Sequence, residues 1–253
     1  MALSGADGRR GQRPGRIIAV TGLKAEAKIA AGEGVHVIAG GGDGARLRRD
    51  IEAAAPEASA IVSFGVAGGL APGLQRGALF VARKIIAEDG SFFDADPDWS
   101  LALRAALGAA MADFAGVDAA VAGIEAKRAL HLRTGAHLVD MESHIAADVA
   151  GRLGIPFAAV RAVADPAERQ LPHAALVAMR PDGGLALGAL TRSLARDPRQ
   201  IPHLVHTARD ARAAFKSLLR GRKMLAVGFA LPDFVELVLN MPAEDELGGP
   251  LPV

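Results

Sequence analysis

Apolar residues along this chain follow two spacings. Short dense runs of Ile, Val, Ala and Phe alternate with stretches where apolar residues recur every three or four positions. The first pattern predicts buried strands and the second predicts amphipathic helices. Residues 16–20 read as a first strand, closed by Gly22, and 24–29 as a helix. Residues 35–38 are a second strand, and 46–55 a helix with Leu47 and Ile51 on one face. Residues 60–64 form a third strand, ending in a glycine cluster, and 78–86 a fourth. A polar loop over 88–98 leads to a helix over 100–113, then to strand candidates at 117–121 and 137–141. Ile145, Val149 and Leu153 share a face of a helix over 143–153. Gly154-Ile155-Pro156 breaks that helix, and 157–163 is a very apolar strand. Further helices are expected over 174–179, 185–195 and 201–219.

This alternation predicts a single α/β domain with a central mixed, mostly parallel β-sheet flanked by helices. The domain is expected over residues 16–223, between a flexible leader (1–15) and an apolar C-terminal segment (224–253).

The pattern puts acidic residues where strands end. Glu142 follows the strand at 137–141, and Asp165 follows the strand at 157–163. With a helix between them, the two strands read as a parallel crossover pair. Glu142 and Asp165 would then share the sheet edge where open α/β folds bind ligands. Each residue also has a plainer reading. Glu142 suits a buried, charge-paired structural role, and Asp165 suits a helix N-cap followed by Pro166 at the first helical position. Glu26 reads as a helix residue just past the first strand. His144, beside Glu142, would touch a ligand or line its helix.

Two glycine clusters end strands. Gly40 to Gly44 opens a helix, so it is either a tight turn or a loop whose amides receive an anion. The second, Gly65-Val66-Ala67-Gly68-Gly69, lets backbone approach a flat ligand. Neither matches the dinucleotide fingerprint, which argues against a nicotinamide oxidoreductase.

Composition narrows the classes. The net charge of +1 lacks the footprint of a nucleic-acid binder. Absence of cysteine excludes disulfides and cysteine-based zinc sites. The histidines show no metal-ligand spacing, so no metal is expected. Residues 1–15 lack the apolar core of a secretory signal, and no apolar run is long enough to span a bilayer. A cytoplasmic protein is expected.

In chain order, Ile17-Ile-Ala-Val-Thr-Gly22 with Glu26, Gly65-Val-Ala-Gly-Gly69, Val139-Asp-Met-Glu142 and Arg161-Ala-Val-Ala-Asp165 resemble the nucleoside phosphorylase superfamily. The branch with methylthioadenosine/S-adenosylhomocysteine nucleosidases is the most similar. Ser63-Phe-Gly-Val-Ala-Gly-Gly-Leu70, Asp140-Met-Glu-Ser-His144 and Asp165-Pro-Ala-Glu-Arg-Gln-Leu-Pro172 resemble the hopanoid-associated phosphorylase family more closely. That resemblance implies a nucleoside phosphorylase-like fold and removal of adenine from adenosylhopane, a lipid-linked adenosine. It implies that Asp165 protonates the base, Glu142 holds the ribose, and Met141 packs on the sugar. Ala67, Gly68 and Val121 would lie along the base.

The attacking group stays open. A glutamate at the position of Glu26 activates water in the hydrolytic branch. The phosphorylases use inorganic phosphate as co-substrate, and here Thr21, Gly41, Gly42 and Arg46 are its candidate ligands. No other cofactor is expected. A protein that binds nucleosides without turnover is the remaining alternative. The resemblance also implies a homodimer. The segment 224–239 would pack on the core or on a partner subunit, line a lipid channel, or make peripheral contact with the inner membrane.

Overall fold

The computed structural model describes residues 16–178, 180, 182–184, 186–225 and 227–232. The expected leader and most of the expected C-terminal segment lie outside the described residues. Among the described residues, the elements begin in the order β1 (Arg16–Thr21), α1 (Lys24–Ala30), β2 (Val35–Ala39), α2 (Gly44–Ala54), β3 (Ala58–Gly69), β4 (Leu79–Ala87), β5 (Phe92–Asp94), α3 (Pro97–Leu107) and β6 (Ala110–Gly116). There follow α4 (Ile124–Thr134), β7 (Leu138–Asp140), α5 (Ser143–Leu153), β8 (Phe157–Asp165), α6 (His173–Val177), α7 (Leu187–Arg196) and α8 (Gln200–Met224).

The strands make one mixed sheet in the order β2-β1-β3-β7-β6-β4-β5, with β8 paired to both β3 and β4. The pairings β3–β7, β7–β6, β6–β4, β4–β8 and β8–β3 therefore close a ring of five strands. Closure leaves those strands with few unpaired edges. Side chains alternate across the strands into two cores. Ile18, Val20, Ile61, Phe157, Ala159 and Val163 pack with α2 and α5 on one side. Ile17, Ala19, Val62, Phe64, Val160 and Ala162 pack with α3 and α8 on the other. No described helix is long and apolar enough to cross a membrane.

Four expectations are corrected. The strand pair expected to run parallel does not: β3 is antiparallel to β7 and parallel to β8. The helix expected over 100–113 ends at Leu107, because Gly108 takes the left-handed conformation (φ 59°) that closes a helix. The next strand is thus Ala110–Gly116, and 117–121 is loop. Strand β3 does not stop at Phe64 but runs through the glycines to Gly69. Two elements lie where the apolar pattern predicts none: α4, whose buried residues are Lys127 and Leu130 alone, and β5, within the polar loop.

The first residues past α8 pack inward. Leu225 and Phe229 are buried, and Phe229 meets Phe64 edge-to-face at 5.4 Å. The Phe229 carbonyl accepts a 2.8 Å hydrogen bond from the Trp99 indole, and Arg222 lies over its ring at 4.4 Å. This stretch therefore belongs to the core. Phe229→Ala is expected to cost roughly 3–5 kcal/mol, measured as a shift in the denaturant unfolding midpoint.

Candidate active site

The site lies where β3, β7 and β8 meet. Val139 of β7 and Asp165 of β8 both register with Gly68 of β3. The two acidic motifs thus converge although their strands run in opposite directions. The pairing passes from Ala67–Val163 to Gly68–Asp165, so Ala164 is an extra residue in β8. A bulge of this kind re-aims the next side chain. Here that side chain is Asp165, and a Cβ on Gly68 would lie 3.3 Å from its Oδ2.

Arg161 is the centre of charge. It is wholly buried in β8, and its Nη2 donates to Ser63 Oγ at 2.7 Å and Ser143 Oγ at 3.2 Å. The same nitrogen lies 3.1 Å from Asp140 Oδ1 and 3.5 Å from Glu142 Oε2. Asp140 accepts from the Glu142 and Ser143 amides at 2.9 and 2.7 Å and from Ser143 Oγ at 2.8 Å, which caps α5. Glu26 completes the group. Its Oε2 accepts from the Gly22 and Leu23 amides at 2.9 and 2.7 Å, and its Oε1 from the Val66 amide at 2.7 Å. Nε and Nη1 of Arg161 have no acceptor among the described residues. A Cβ on Gly65 would lie 3.0 Å from that Nη1 and 2.7 Å from Glu26 Oε1, so the two groups border one space.

Three carboxyl groups around one guanidinium do not all ionise freely. Burial disfavours charge on Asp140, but Arg161 and the Ser143 donors outweigh it and hold its pKa below the ordinary value. Burial pushes Glu142 up to about 8 against the pull of Arg161, with Asp140 and Glu26 adding repulsion. Burial likewise raises Glu26, opposed by Arg161 and the three amides.

Asp165 has a separate cation. Lys127, wholly buried on α4, donates to Asp165 Oδ2 at 2.5 Å and to the Pro166 and Arg169 carbonyls at 3.1 and 3.0 Å. Burial still dominates and raises Asp165 to about 6, with Lys127 opposing. A carboxyl group near 6 can hold a proton and release it at neutral pH.

The expected neighbours are placed as follows. Ala67 is buried on β3 next to Gly68. Met141 and Val121 pack against one small cluster with Leu70, Val117, Leu130 and Val139, which joins the expected sugar side to the expected base side. His144 Nε2 is 3.1 Å from Asp118 Oδ1, and with Met141, Gly42 and Arg48 it borders a cavity of about 460 Å³. The loop at Gly40 to Gly44 packs against the acidic motif. A Cβ on Gly42 would lie 3.8 Å from Met141, and one on Gly40 would lie 3.5 Å from Glu142. Its polar groups are largely committed. Gly41 N donates to Gly22 O at 2.9 Å, Arg46 donates to the Ala39 and Gly40 carbonyls at 2.9 Å each, and Thr21 is fully buried. Among the described residues no cluster of three or more His, Asp or Glu is placed to hold a metal.

The profile of the phosphorylase superfamily matches residues 28–196. The chain belongs to that superfamily. No curated protein matches the sequence. Among solved structures, it is similar to S-adenosylhomocysteine nucleosidase from Streptococcus pyogenes in complex with 5-methylthiotubericidin. The identity is 20%, with 63% of this chain and 86% of that chain covered, at a TM-score of 0.54. The 5′-methylthioadenosine/S-adenosylhomocysteine nucleosidase of Helicobacter pylori, bound to butyl-thio-DADMe-Immucillin-A, gives 16%, 83% and 97% at 0.57. Futalosine hydrolase of Helicobacter pylori gives 16%, 83% and 97% at 0.55. At these identities the likeness establishes the fold.

For a phosphorylase superfamily chain, the sequence reading missed Lys127 and gave no role to Asp140, Ser63 or Ser143. A lysine on a helix with no apolar stripe reads as solvated, and only its burial reveals the partner. Arg161 carried a signal that went unused. A charged residue in the middle of so apolar a strand requires a buried counter-ion.

The Glu142 shift fixes a pH dependence. Its folded pKa of about 8 exceeds the ordinary 4.5, so the folded state keeps a proton that the unfolded state has lost. Stability contributed by that proton is full below about 4.5 and is lost as pH rises through about 8, at up to about 1.4 kcal/mol per pH unit. Glu142→Gln is expected to flatten this decline. Denaturant unfolding at a series of pH values would detect it, and an unchanged slope would contradict the assignment.

Proposed function

We propose that this protein cleaves the N-ribosidic bond of a 5′-substituted adenosine and releases adenine. The observation that carries this reading is Asp165, a buried carboxyl group titrating near 6 and aimed across Gly68, beside a second raised carboxyl, Glu142. Breaking the C1′–N9 bond sends its electrons into the base and leaves positive charge on the ribose. Asp165 gives its proton to adenine N7, which neutralises the leaving group. In its ionised form Glu142 accepts hydrogen bonds from the ribose hydroxyls, and that carboxylate gains stabilising power as the sugar becomes cationic. Met141 packs on the sugar, and Ala67, Gly68 and Val121 border the base.

For the 5′ substituent, the motifs at 63–70, 140–144 and 165–172 support the hopanoid side chain of adenosylhopane. The cavity beside Met141 and His144 favours a second reading. Arg48, Glu88, Asp89 and Asp118 border it, and such walls suit a short or polar substituent of the methylthioadenosine or S-adenosylhomocysteine kind.

The electrostatics of the pocket favour water over phosphate as the attacking group. A phosphate dianion would enter beside the ionised Asp140, which already takes up the charge of Arg161, and beside two further carboxyl groups, Glu26 and Glu142, that its charge would force to stay protonated. The Gly22, Leu23 and Val66 amides, a ready anion cradle, are already taken by the Glu26 carboxylate. A water between ionised Glu26 and the open donors of Arg161 would be held for attack at C1′, with its proton passing to that carboxylate, whose raised pKa makes it the stronger base. The products are adenine and a 5′-substituted ribose. Phosphorolysis, favoured by the motif resemblance, would give a ribose 1-phosphate instead.

The deciding assay is chromatographic product analysis with adenosylhopane, methylthioadenosine and S-adenosylhomocysteine, with and without phosphate. Adenine release independent of phosphate is expected. Asp165→Asn is expected to abolish release while the circular dichroism spectrum is kept, and a normal rate in that variant would refute the assigned acid.

Lys127 makes a further prediction. Burial holds Asp165 near 6 against the pull of Lys127, which favours the ionised form, so activity is expected to fall as pH rises through about 6. Lys127→Met removes that pull. The falling limb of kcat/KM should move to higher pH in the variant, and a limb that stays in place would exclude Lys127 from tuning the acid.

A further inference from the structure

The near-zero net charge of the chain conceals a local excess. Residues 173–224 hold ten of the 29 Lys and Arg but only three of the 28 Asp and Glu. Most of that excess lies on α8, a helix of 25 residues. Arg209, Arg212, Lys216, Arg220 and Lys223 recur along it at spacings of three and four, which keeps them on one face. All five are exposed, and none has an ion-pair partner among the described residues. The one acidic residue of the helix, Asp210, points away from them. It is buried and paired with Arg76 and Arg169.

The same face is not purely polar. Val205 lies within its arc and Ile201 and Leu219 on its edge, and they are 43%, 48% and 46% exposed. The opposite face, through Ala214, Leu218 and Gly221, packs on the core and holds the helix in place. A rigid helix presenting unpaired cations interleaved with exposed aliphatic side chains has the chemistry of an interfacial helix. The cations meet anionic headgroups while the aliphatic groups enter the acyl boundary. Binding a single-stranded nucleic acid would call for aromatic rings on which bases stack, and no Phe, Tyr or Trp lies among these side chains.

We propose that the exposed face of α8 docks on an anionic phospholipid membrane. Docking through α8 does not depend on which bond the active site breaks. The full chain is mixed with vesicles of phosphatidylcholine, or of phosphatidylcholine with phosphatidylglycerol, and bound protein is separated by flotation. Binding to the phosphatidylglycerol vesicles, little binding to phosphatidylcholine alone, and release by high salt are expected. The triple variant R212E/K216E/R220E should lower binding by at least about tenfold, with the melting temperature unchanged. Should that variant melt early, the milder pair K216Q/R220Q is expected to give a smaller loss in the same direction. Four results would overturn the proposal: no binding of the parent chain to phosphatidylglycerol vesicles, equal binding by the variants, displacement from vesicles by a single-stranded oligonucleotide at low concentration, or loss of self-association in the variants, which would make the face a subunit contact.

Discussion

A guanidinium in a protein interior keeps its charge, and the surroundings must supply the counter-charge. Arg161 imposes that condition on this fold. It sits in the middle of an apolar strand, β8, and carboxyl groups reach it from three directions: Asp140 at the end of β7, Glu142 at the start of α5, and Glu26 on α1. Each belongs to a different element, so meeting Arg161 fixes how those elements are set against β8. The excess of carboxyl groups over cations then fixes where protons reside. Asp140, with the most donors, stays ionised, while Glu142 and Glu26 are pushed toward their neutral forms. One buried cation thus organises both the packing and the protonation of the pocket.

Room for these groups comes from missing side chains. A Cβ at Gly22 would lie 2.6 Å from Glu142 Oε1, and one at Gly65 would lie 2.7 Å from Glu26 Oε1. Both glycines end or interrupt strands without taking unusual backbone angles, so their role is close approach and not a turn. The bulge at Ala164 does related work on β8, because it redirects Asp165 without lengthening the ladder.

Much of this was legible in the sequence. Strands and helices with strong apolar periodicity, such as β1, β8 and α5, read clearly because burial on one or both faces dictates their residue types. Glu26, Glu142 and Asp165 stood out through position and motif. What was hidden shares a cause: it depends on contacts between distant segments. The opposite directions of β7 and β8 follow from the closing of the five-strand ring, and no local spacing encodes closure. Helix α4 has no apolar stripe, since what it buries is mainly Lys127. The basic face of α8 was masked by a net charge averaged over the whole chain.

Lys127 gives α4 an anchorage unlike that of its neighbours. Most helices here are held by apolar faces, whose grip does not depend on chemical state. The grip of Lys127 depends on it, because the attraction strengthens when Asp165 loses its proton. In the proposed reaction, giving up that proton would draw the supporting helix tighter, and recovering it would slacken the helix again. The segment from Pro166 to Arg169, bound by the same ammonium group, would feel each change, so the wall of the pocket keeps time with the proton.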